Sequence, residues 1–537
     1  MSRVLPWALA VVSGVLLALC YQPWGIGDLC WIALAPLAWA IWFTKHTGKR
    51  PWLHYAMLGY VCGLVFFAIS ASWLTTLTWP GFVLLVLYFG GYFSAWALVC
   101  WLVTKRSVRS DWLSSLHNLR VCLLSAAAWV ALEWLRGVIF PAFGWNGLGI
   151  ALYKNIPLIQ IADITGVGGI SFLVAAANLM LTATVKRLAL EIGGKRRRPH
   201  LDFSLTIALI ASAWAYGVHQ FVNQPPESEE LTFAAVQANI PQNVRNNPTF
   251  SLEVLDTYRR QTLTAIAMAP DLILWPESST PAPLLGDQMT WDLVRGLAEQ
   301  HAGDFLLGTV HWATEGDFNS IALLTSRGTE AQLYHKIHLV PFGEYVPLRE
   351  EFPILAAIVG DLLPDDFDPG RSHAVLEMVS RPFKLAPLVC FEDTLGDLAR
   401  RFAQRGAQAF VVVTNDGWFL KSAGSMQHLQ NAVFRCAETK LPMIRAANTG
   451  VTCAIDHLGN VREILRDENG STFTQGVLFS RINVPLNPSP TFYTRYGEIF
   501  SISCLGITIL ALLTILIRRK QENSSCPKPP DTETSAG

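Results

Sequence analysis

Apolar runs of membrane-spanning length dominate the first 223 residues of the chain. Short stretches with charged or turn-forming residues separate them, and one more run stands near the C-terminus. A helix needs about 20 apolar residues to cross a bilayer, so we predict transmembrane helices, of which the first two are short. Buried core helices of a soluble protein are a poor alternative, because so many runs follow one another. The predicted spans are 4–20, 29–44, 55–74, 81–104, 121–141, 167–185, 203–223 and 499–517.

The pattern changes between residues 231 and 484, where apolar runs shorten to strand length and alternate with amphipathic stretches. Helical periodicity is present in 251–268, 288–302, 395–405 and 426–439. Strands interleaved with helices predict an α/β layered domain. The predicted strands are 231–237, 272–274, 305–310, 321–325, 385–390, 409–414, 443–446 and 452–455.

Basic residues occupy alternate loops of the apolar region. The second, fourth and sixth loops are rich in Lys and Arg, whereas the first and third contain neither. By the positive-inside rule the even-numbered loops are cytoplasmic, and the basic run Arg518-Arg519-Lys520 after the last span agrees. We therefore predict both termini in the cytoplasm and residues 224–498 on the opposite side of the membrane.

Four segments follow from these patterns. They are a seven-helix transmembrane domain at 1–223, an extracytoplasmic α/β domain at 224–498, an eighth transmembrane helix at 499–520 and a cytoplasmic tail at 521–537. The tail is rich in Ser, Pro and Thr and is expected to be disordered. Leu17-Ala18-Leu19-Cys20 superficially resembles a lipoprotein cleavage site, but Leu19 is too large for the position before the cysteine, so we expect the first span to be retained.

Composition agrees with this division. Hydrophobic residues make up 51% of the chain and charged residues only 15%, which indicates a bilayer protein. The formal net charge is zero, so no overall field favours nucleic acid as a partner. Most of the ten cysteines lie in or beside apolar runs, and there is no CxxC motif or zinc-like spacing. We expect no structural metal, no other cofactor and no obligatory disulfide.

Two candidate catalytic residues follow predicted strands or interrupt apolar stretches. The segment LILWPES at 272–278 contains Glu277, which is either a solvated carboxylate or, within a pocket, a general base. The segment YHKIHLVPFGEYVP at 334–347 contains Lys336, which is either a snorkelling surface cation or a fixed positive charge for an oxyanion. Neither residue identifies a chemistry alone.

A third candidate, Cys390, ends the strand in LAPLVC at 385–390. Such a thiol is either an inert part of the core or a nucleophile. Glu392 and Asp393 follow it and by themselves would raise its pKa, so a nucleophilic role requires a nearby cation and a base. Lys336 and Glu277 are able to supply both.

The order Glu277, Lys336, Cys390, each beside a strand end, resembles the nitrilase superfamily. TNDGWF at 414–419 and RAANTG at 445–450 resemble later strand and loop signatures of that fold. QANIPQ at 237–242, HLVPFGEYVP at 338–347 and the preceding apolar spans resemble, more narrowly, the membrane-embedded apolipoprotein N-acyltransferase family. The resemblance extends to about residue 520 and implies an α-β-β-α sandwich beside the helical membrane domain.

The resemblance also implies a function and roles for individual residues. The chain would transfer an acyl chain from a membrane phospholipid, through a thioester, to the N-terminal amine of a diacylglyceryl-modified apolipoprotein. Glu277 would be the general base, Lys336 the stabiliser of the oxyanion and Cys390 the nucleophile. Glu344 and Glu392 would be supporting carboxylates that orient Lys336 and the incoming amine. The family further implies a bacterial inner membrane, with the catalytic domain on its periplasmic face.

Two positions depart from the family pattern. Phe391 stands where a tyrosine is common, and Arg245-Asn246 stands where a tryptophan is common. The chain therefore lacks a hydroxyl group and an indole that family members often have at these places.

Two further features have open interpretations. The segment FPILAAIVGDLLP at 352–364 is either a core helix or a lid that dips into the lipid headgroup region. Glu133 and Arg136, at the edge of the fifth predicted span, form either a one-turn ion pair, which we favour, or a contact with a lipid headgroup.

Two other functions are compatible with parts of the sequence. A membrane-anchored amidase or nitrilase would use the same three residues with water, although one helix would suffice as its anchor. A transporter or scaffold with a decayed nitrilase domain would have a broken set of catalytic residues, whereas this set is intact. A thiol suits acyl transfer because it divides the reaction into two steps through a thioester.

Overall fold

The computed structural model describes residues 3–46, 48–192, 199–222, 227–245, 247–325, 331–351 and 366–525. Its first part is helical. The helices are α1 (Leu5–Leu19), α2 (Cys30–Ala33), α3 (Ala35–Phe43), α4 (Pro51–Ser70), α5 (Trp79–Thr104), α6 (Ser115–Val138), α7 (Ile156–Ile159), α8 (Ala162–Thr165), α9 (Val167–Ile192) and α10 (Leu201–Val222).

Six of the described helices are long and apolar enough to cross a membrane. Five are α4, α5, α6, α9 and α10, and the sixth follows the α/β domain at Ile499–Ile517. The shorter apolar segments Leu5–Leu19 and Gly27–Phe43 coincide with the first two predicted spans. Helix α6 begins before its predicted span because Ser114 caps its N-terminus, accepting a hydrogen bond from the His117 N–H. An apolar run does not include a polar first turn, so the start of such a helix is predicted too late in the sequence.

The second part of the chain contains the strands. They are β1 (Ser228–Gln237), β2 (Leu272–Leu274), β3 (Asp304–Ala313), β4 (Gly316–Leu324), β5 (Gln332–His335), β6 (Leu376–Glu377), β7 (Lys384–Val389), β8 (Ala409–Thr414), β9 (Met443–Ala447), β10 (Cys453–Ile455), β11 (Val461–Ile464) and β12 (Gly476–Pro485). The helices here are α11 (Gln242–Arg245), α12 (Ser251–Ala267), α13 (Gln288–Glu299), α14 (Gly396–Gln404), α15 (Gly424–Thr439), α16 (Phe492–Tyr496) and α17 (Ile499–Ser525).

The described strands form two six-stranded mixed sheets, in the orders β12-β1-β2-β3-β4-β5 and β11-β10-β9-β8-β7-β6. In each sheet three adjacent strands are parallel, β1 to β3 in one and β7 to β9 in the other, and the outer strands are antiparallel. The sheets face each other, with α12 against the first and α14 against the second. This is the expected α-β-β-α sandwich.

The α/β domain rests on the membrane domain through α15, which packs against α8. Helix α17 then packs against α6 and α9. It continues to Ser525, beyond the predicted end at 520, because the Lys, Gln and Glu residues that follow the apolar run are good helix formers. The rest of the predicted tail lies outside the described residues.

Candidate active site

The three candidate residues each follow a strand, and the sandwich brings these strand ends together. Glu277 follows β2, Lys336 directly follows β5 and Cys390 directly follows β7. The Lys336 Nζ atom lies 2.7 Å from Glu344 Oε2 and 3.9 Å from Glu277 Oε1. Cys390 is partly exposed and interacts electrostatically with both Glu277 and Lys336. A thiol, a carboxylate and an ammonium group therefore share one site.

Asn319 in β4 orients the two carboxylates. Its Nδ2 atom donates hydrogen bonds to Glu277 Oε1 and to Glu344 Oε1, both at 2.8 Å. Its backbone oxygen accepts the Lys336 N–H at 2.8 Å. Glu277 Oε2 is buried and has no hydrogen-bond partner among the described residues, so this oxygen is available to take a proton. Nothing in the sequence around Asn319 marks it for this position.

The turn that carries Glu277 packs closely against β3. The Gly308 N–H donates to the Pro276 oxygen at 3.2 Å, and a Cβ atom on Gly308 would stand 2.6 Å from the Glu277 Cα. A glycine is therefore required for this approach. Ser278, the next residue, has a φ angle of +42°, which a side chain rarely adopts.

Cys390 also has strained backbone geometry, with a φ angle of +53° at the start of a 3₁₀ turn from Cys390 to Thr394. Left-handed backbone at a non-glycine residue costs energy and is concentrated at functional sites. Burial and the Glu277 carboxylate raise the pKa of the Cys390 thiol well above its ordinary value, and Lys336 opposes them. The resting thiol is therefore protonated, and its attack on a carbonyl group needs a base.

Lys336 is charged despite being 1% exposed. Burial lowers the pKa of its ammonium group, but Glu344 and then Glu277 raise it above the ordinary lysine value. Glu344 itself is held by the Val340 N–H, which donates to its Oε2 atom at 2.8 Å. The result is a buried cation held in place by two carboxylates, suited to an oxyanion.

Glu392 is fully buried, and its charge interacts with that of Lys336. Its Oε1 atom accepts the N–H groups of Ile337 and His338 at 2.8 and 3.1 Å, and its Oε2 atom accepts the Val389 N–H at 2.9 Å. Burial raises its pKa to about 7, against the opposing effect of Lys336 and these N–H groups. Glu392 thus joins the backbones beside Lys336 and Cys390.

A buried cluster of charges fixes the turn after Cys390. Asp393 Oδ1 lies 2.8 Å from His428 Nε2, and Asp393 Oδ2 lies 3.1 Å from Arg445 Nε. Asp416 Oδ1 lies 3.0 Å from His428 Nδ1. Burial and the charge of Arg445 lower the pKa of His428, but Asp393 and Asp416 raise it to about 9. Arg445 Nη2 lies 2.7 Å from His428 Nδ1, within hydrogen-bond distance. His428 is therefore a cation at neutral pH.

This cluster predicts a pH-dependent stability. Because the pKa of His428 is raised above its unfolded value of about 6.5, its stabilising contribution is complete below that pH and is lost as pH rises through about 9. The free energy of unfolding of the wild type should therefore fall more between pH 6.5 and 9.5 than that of His428→Gln, by up to about a few kcal/mol. Thermal unfolding of both proteins across this pH range measures the difference. Parallel stability curves for the two proteins would contradict this assignment.

Aromatic rings from the membrane domain cover the turn that contains the thiol. Phe391 stacks on Phe143 and Trp145, with centroids 6.1 and 6.3 Å away and the planes within 7°. Phe391 lacks the hydroxyl group of a tyrosine, and its ring takes part in a stack of aromatic rings. At the other departure from the family pattern, Arg245 donates from Nε to the Ser278 oxygen at 3.0 Å, whereas Asn246 lies outside the described residues.

Glu133 and Arg136 do not form the ion pair that we favoured. The Glu133 carboxylate accepts hydrogen bonds from the Trp129 indole and the Leu148 N–H. The Arg136 guanidinium lies 5.1 and 5.6 Å from the ring centroids of Phe67 and Phe89. Both side chains line the same cavity, where their charges interact without a direct contact. Residues 352–364, the predicted lid or core helix, lie outside the described residues.

The described residues contain no group of three or more His, Cys, Asp or Glu side chains that could hold a metal ion. The described site contains instead a thiol, two carboxylates bridged by an amide and a buried ammonium group. These groups can carry out nucleophilic attack, proton transfer and oxyanion stabilisation.

The chain is similar to known proteins in both of its parts. Residues 13–180 match the family model described as Apolipoprotein N-acyltransferase N-terminal domain, and residues 232–484 match the model described as Carbon-nitrogen hydrolase. A protein from Geobacter metallireducens named Apolipoprotein N-acyltransferase is 33% identical, with 96% of each chain covered. One of the same name from Nitrosomonas europaea is 30% identical, with 94% of each chain covered.

Solved structures are similar to the α/β domain. A CN-hydrolase superfamily protein from Xanthomonas campestris has a TM-score of 0.36 and 18% identity, covering 47% of this chain and 91% of its own. A carbon-nitrogen hydrolase from Helicobacter pylori has a TM-score of 0.36 and 15% identity, covering 47% of this chain and 89% of its own.

Proposed function

Because the chain belongs to the apolipoprotein N-acyltransferase family, a family of membrane acyltransferases, we propose that it acylates the N-terminal amine of diacylglyceryl-modified apolipoproteins with a chain from a membrane phospholipid. The observation that carries this proposal is the meeting of Glu277, Lys336 and Cys390 at three strand ends, beside aromatic rings of the membrane domain. The charges of Glu277 and Lys336 both act on the thiol, and Phe391, the residue after it, packs against aromatic rings of the membrane domain.

The first step forms the thioester. Glu277 takes the thiol proton as Cys390 Sγ attacks the carbonyl carbon of the phospholipid ester, and Lys336 stabilises the negative oxygen. The tetrahedral intermediate then breaks its bond to the glycerol oxygen. Glu277 returns the proton to that oxygen, so lysophospholipid leaves and the acyl chain stays on sulfur.

The second step is aminolysis. The neutral amine of the diacylglyceryl-cysteine attacks the thioester carbon, and Glu277 takes a proton from its nitrogen. The carbon–sulfur bond breaks and the proton passes to the sulfur. The products are an amide on the apolipoprotein and the free thiol, with no further reactant required.

The test is to incubate the purified protein with phospholipid alone. Intact-mass spectrometry should show one acyl chain on the protein, and lysophospholipid should appear in equal amount. Neutral hydroxylamine should remove the chain, as it does from a thioester. A diacylglyceryl peptide with a free N-terminal amine should remove it too, whereas the same peptide with an acetylated amine serves as the control and should not. Absence of any adduct would overturn the covalent mechanism.

The amidase alternative makes the opposite prediction for the adduct. In an amidase, water would discharge the acyl group rapidly and without a preference for the amine. Comparing the rates of discharge with and without the acceptor peptide separates the two functions.

The proposed location is the bacterial inner membrane, with the catalytic domain periplasmic and both termini cytoplasmic. The distribution of Lys and Arg between the loops supports it. A cysteine introduced at the exposed position Asn469 should react with a membrane-impermeant maleimide in cells whose inner membrane is intact. Its reaction only after the inner membrane is opened would reverse the topology. The proposed boundaries are 1–223, 224–498, 499–520 and 521–537.

A further inference from the structure

Gln427 is a catalytic-domain side chain whose amide group is hydrogen-bonded by the membrane domain. It lies in α15 and is fully buried. Its Oε1 atom accepts the indole N–H groups of Trp73 and Trp145 at 3.0 and 2.9 Å, and Asn146 Nδ2 at 3.1 Å. These three donors all precede residue 200, so the contact joins the two domains.

The amide nitrogen of Gln427 also makes hydrogen bonds to the membrane domain. Its Nε2 atom donates to the backbone oxygens of Gln22 and Ser70, at 2.6 and 2.9 Å. A primary amide has two hydrogens, and both are donated. Gln427 therefore ties together the segment after α1, the end of α4, the turn after α4 and the segment after α6.

The indoles that Gln427 holds lie beside the turn that contains the nucleophile. The Trp145 ring stacks on Phe391, the neighbour of Cys390, and lies 5.6 Å from the His428 ring. The Trp73 ring lies 5.3 Å from Trp145. His428 follows Gln427 in α15 and pairs with Asp393 in the nucleophile turn. Adjacent residues of one helix thus fix the aromatic cover and the turn beneath it.

We propose that Gln427 is a positioning residue that keeps water away from the acyl-thioester, a role that rests on the proposed function. Hydrolysis would add water to the thioester carbon, release a fatty acid and return the hydrogen to sulfur. With Gln427 in place the indoles close one side of the turn. Without its oxygen, three buried N–H groups lose their acceptor, and buried polar groups without partners recruit water. Gln427 thereby favours transfer to the amine over loss to water.

The experiment compares Gln427→Leu with the wild type. The acyl-enzyme is formed with phospholipid, freed of lipid, and followed by intact mass with and without the acceptor peptide. The ratio of discharge by water to discharge by the amine should rise about tenfold in Gln427→Leu, the effect of roughly one lost hydrogen bond. A merely structural role would lower the unfolding temperature without changing this ratio.

Gln430→Leu is the matched control. Gln430 lies in the same helix, is fully buried, and its amide atoms have no hydrogen-bond partner among the described residues. The substitution removes the same group without removing a bond to the membrane domain, so the ratio should stay at the wild-type value. An equal rise in both variants would overturn the proposal, because it would show a general response to changes in α15.

Two milder variants decide the matter if Gln427→Leu does not fold. Trp145→Phe keeps an aromatic ring but removes the N–H donor together with part of the indole, so the ratio should rise, while Gln427 keeps its other two donors. Gln427→Glu keeps an acceptor oxygen for the three N–H groups in either protonation state but loses at least one donor to Gln22 and Ser70, so the ratio should rise less than in Gln427→Leu. A wild-type ratio in Trp145→Phe, or in Gln427→Leu where that variant folds, would refute the role. A wild-type protein that forms no adduct would refute the proposed function instead.

Discussion

Replacing Cys390 by alanine should abolish both the acyl adduct and acyl transfer to the lipopeptide. The thiol is the proposed point of attachment, and no other group near Glu277 and Lys336 in the described site can form a thioester. The remaining residues can bind lipid and polarise its carbonyl group, but they cannot divide the reaction into two steps. The loss should reach the detection limit of a mass-spectrometric assay with phospholipid and a diacylglyceryl peptide, while the unfolding temperature stays near that of the wild type.

Cys436→Ala and Cys453→Ala are the controls for this prediction. Both thiols are fully buried in the same domain, and burial raises the pKa of each. They have no access to a substrate, so each variant should form the adduct at position 390 in the normal amount. Persistence of transfer in Cys390→Ala, or an adduct mapped to either of the other thiols, would refute the covalent mechanism.

The elements with strong hydrophobic patterns were predictable from sequence. Strand β8 has the predicted bounds, 409–414, and β2 has the predicted 272–274, because apolar runs bounded by polar residues are typical of buried parallel strands. Strands β5, β6, β11 and β12 were missed. Strand β12 alternates exposed and buried residues at the edge of its sheet, and β6 has only two residues, so neither has a continuous apolar run.

The sequence predicts Lys336 beside a strand end without showing which residues form the strand. The structure places that strand at Gln332–His335, directly before Lys336. Tyr334, within the strand, is buried and donates to Glu392, which also accepts the N–H groups of Ile337 and His338 after the strand. The strand end fixes the ammonium group in a way that a loop could not.

The proposed catalytic residues are recognisable in the sequence, whereas the residues that contact and orient them are not. Glu277, Lys336 and Cys390 stand in motifs with characteristic neighbours. Asn319 and Gln427 act through contacts between segments far apart in sequence, so only the folded chain reveals them. Sequence motifs identify the candidate catalytic side chains, whereas the contacts that orient these side chains form only in the folded chain.

Glu392 and Asp393, which follow Cys390, also have contacts that the sequence does not reveal. From sequence, Glu392 and Asp393 were expected to raise the pKa of the thiol as its neighbours. In the structure Glu392 faces backbone N–H groups and Asp393 faces His428 and Arg445. The pKa of Cys390 is raised instead by burial and then by Glu277, which is distant in sequence. Glu277 therefore hinders ionisation of the resting thiol, and in the proposed mechanism it accepts the thiol proton during attack.

Glu277→Gln should lower acyl transfer by a factor of about 10²–10⁴ with little change in the fold, which is the usual cost of removing a general base. The glutamine oxygen can still accept the Asn319 Nδ2 hydrogen bond, and Lys336 keeps Glu344 at 2.7 Å. What is lost is the oxygen without a partner that receives the proton. The measurement is the rate of adduct formation from phospholipid, together with the unfolding temperature.

The dependence of the residual rate on pH separates the loss of the base from a general disturbance of the site. Because Glu277 raises the pKa of Cys390, its neutral replacement lowers that pKa, and ionisation of the thiol by solvent then substitutes for the base. The residual rate of Glu277→Gln should therefore rise steadily with pH. Glu344→Gln is the matched control, since it removes a carboxylate from the same Asn319 and Lys336 but leaves the base, so its slower reaction should keep the wild-type pH profile. Near-normal turnover by Glu277→Gln, or the same pH profile in both variants, would remove Glu277 from the role of base.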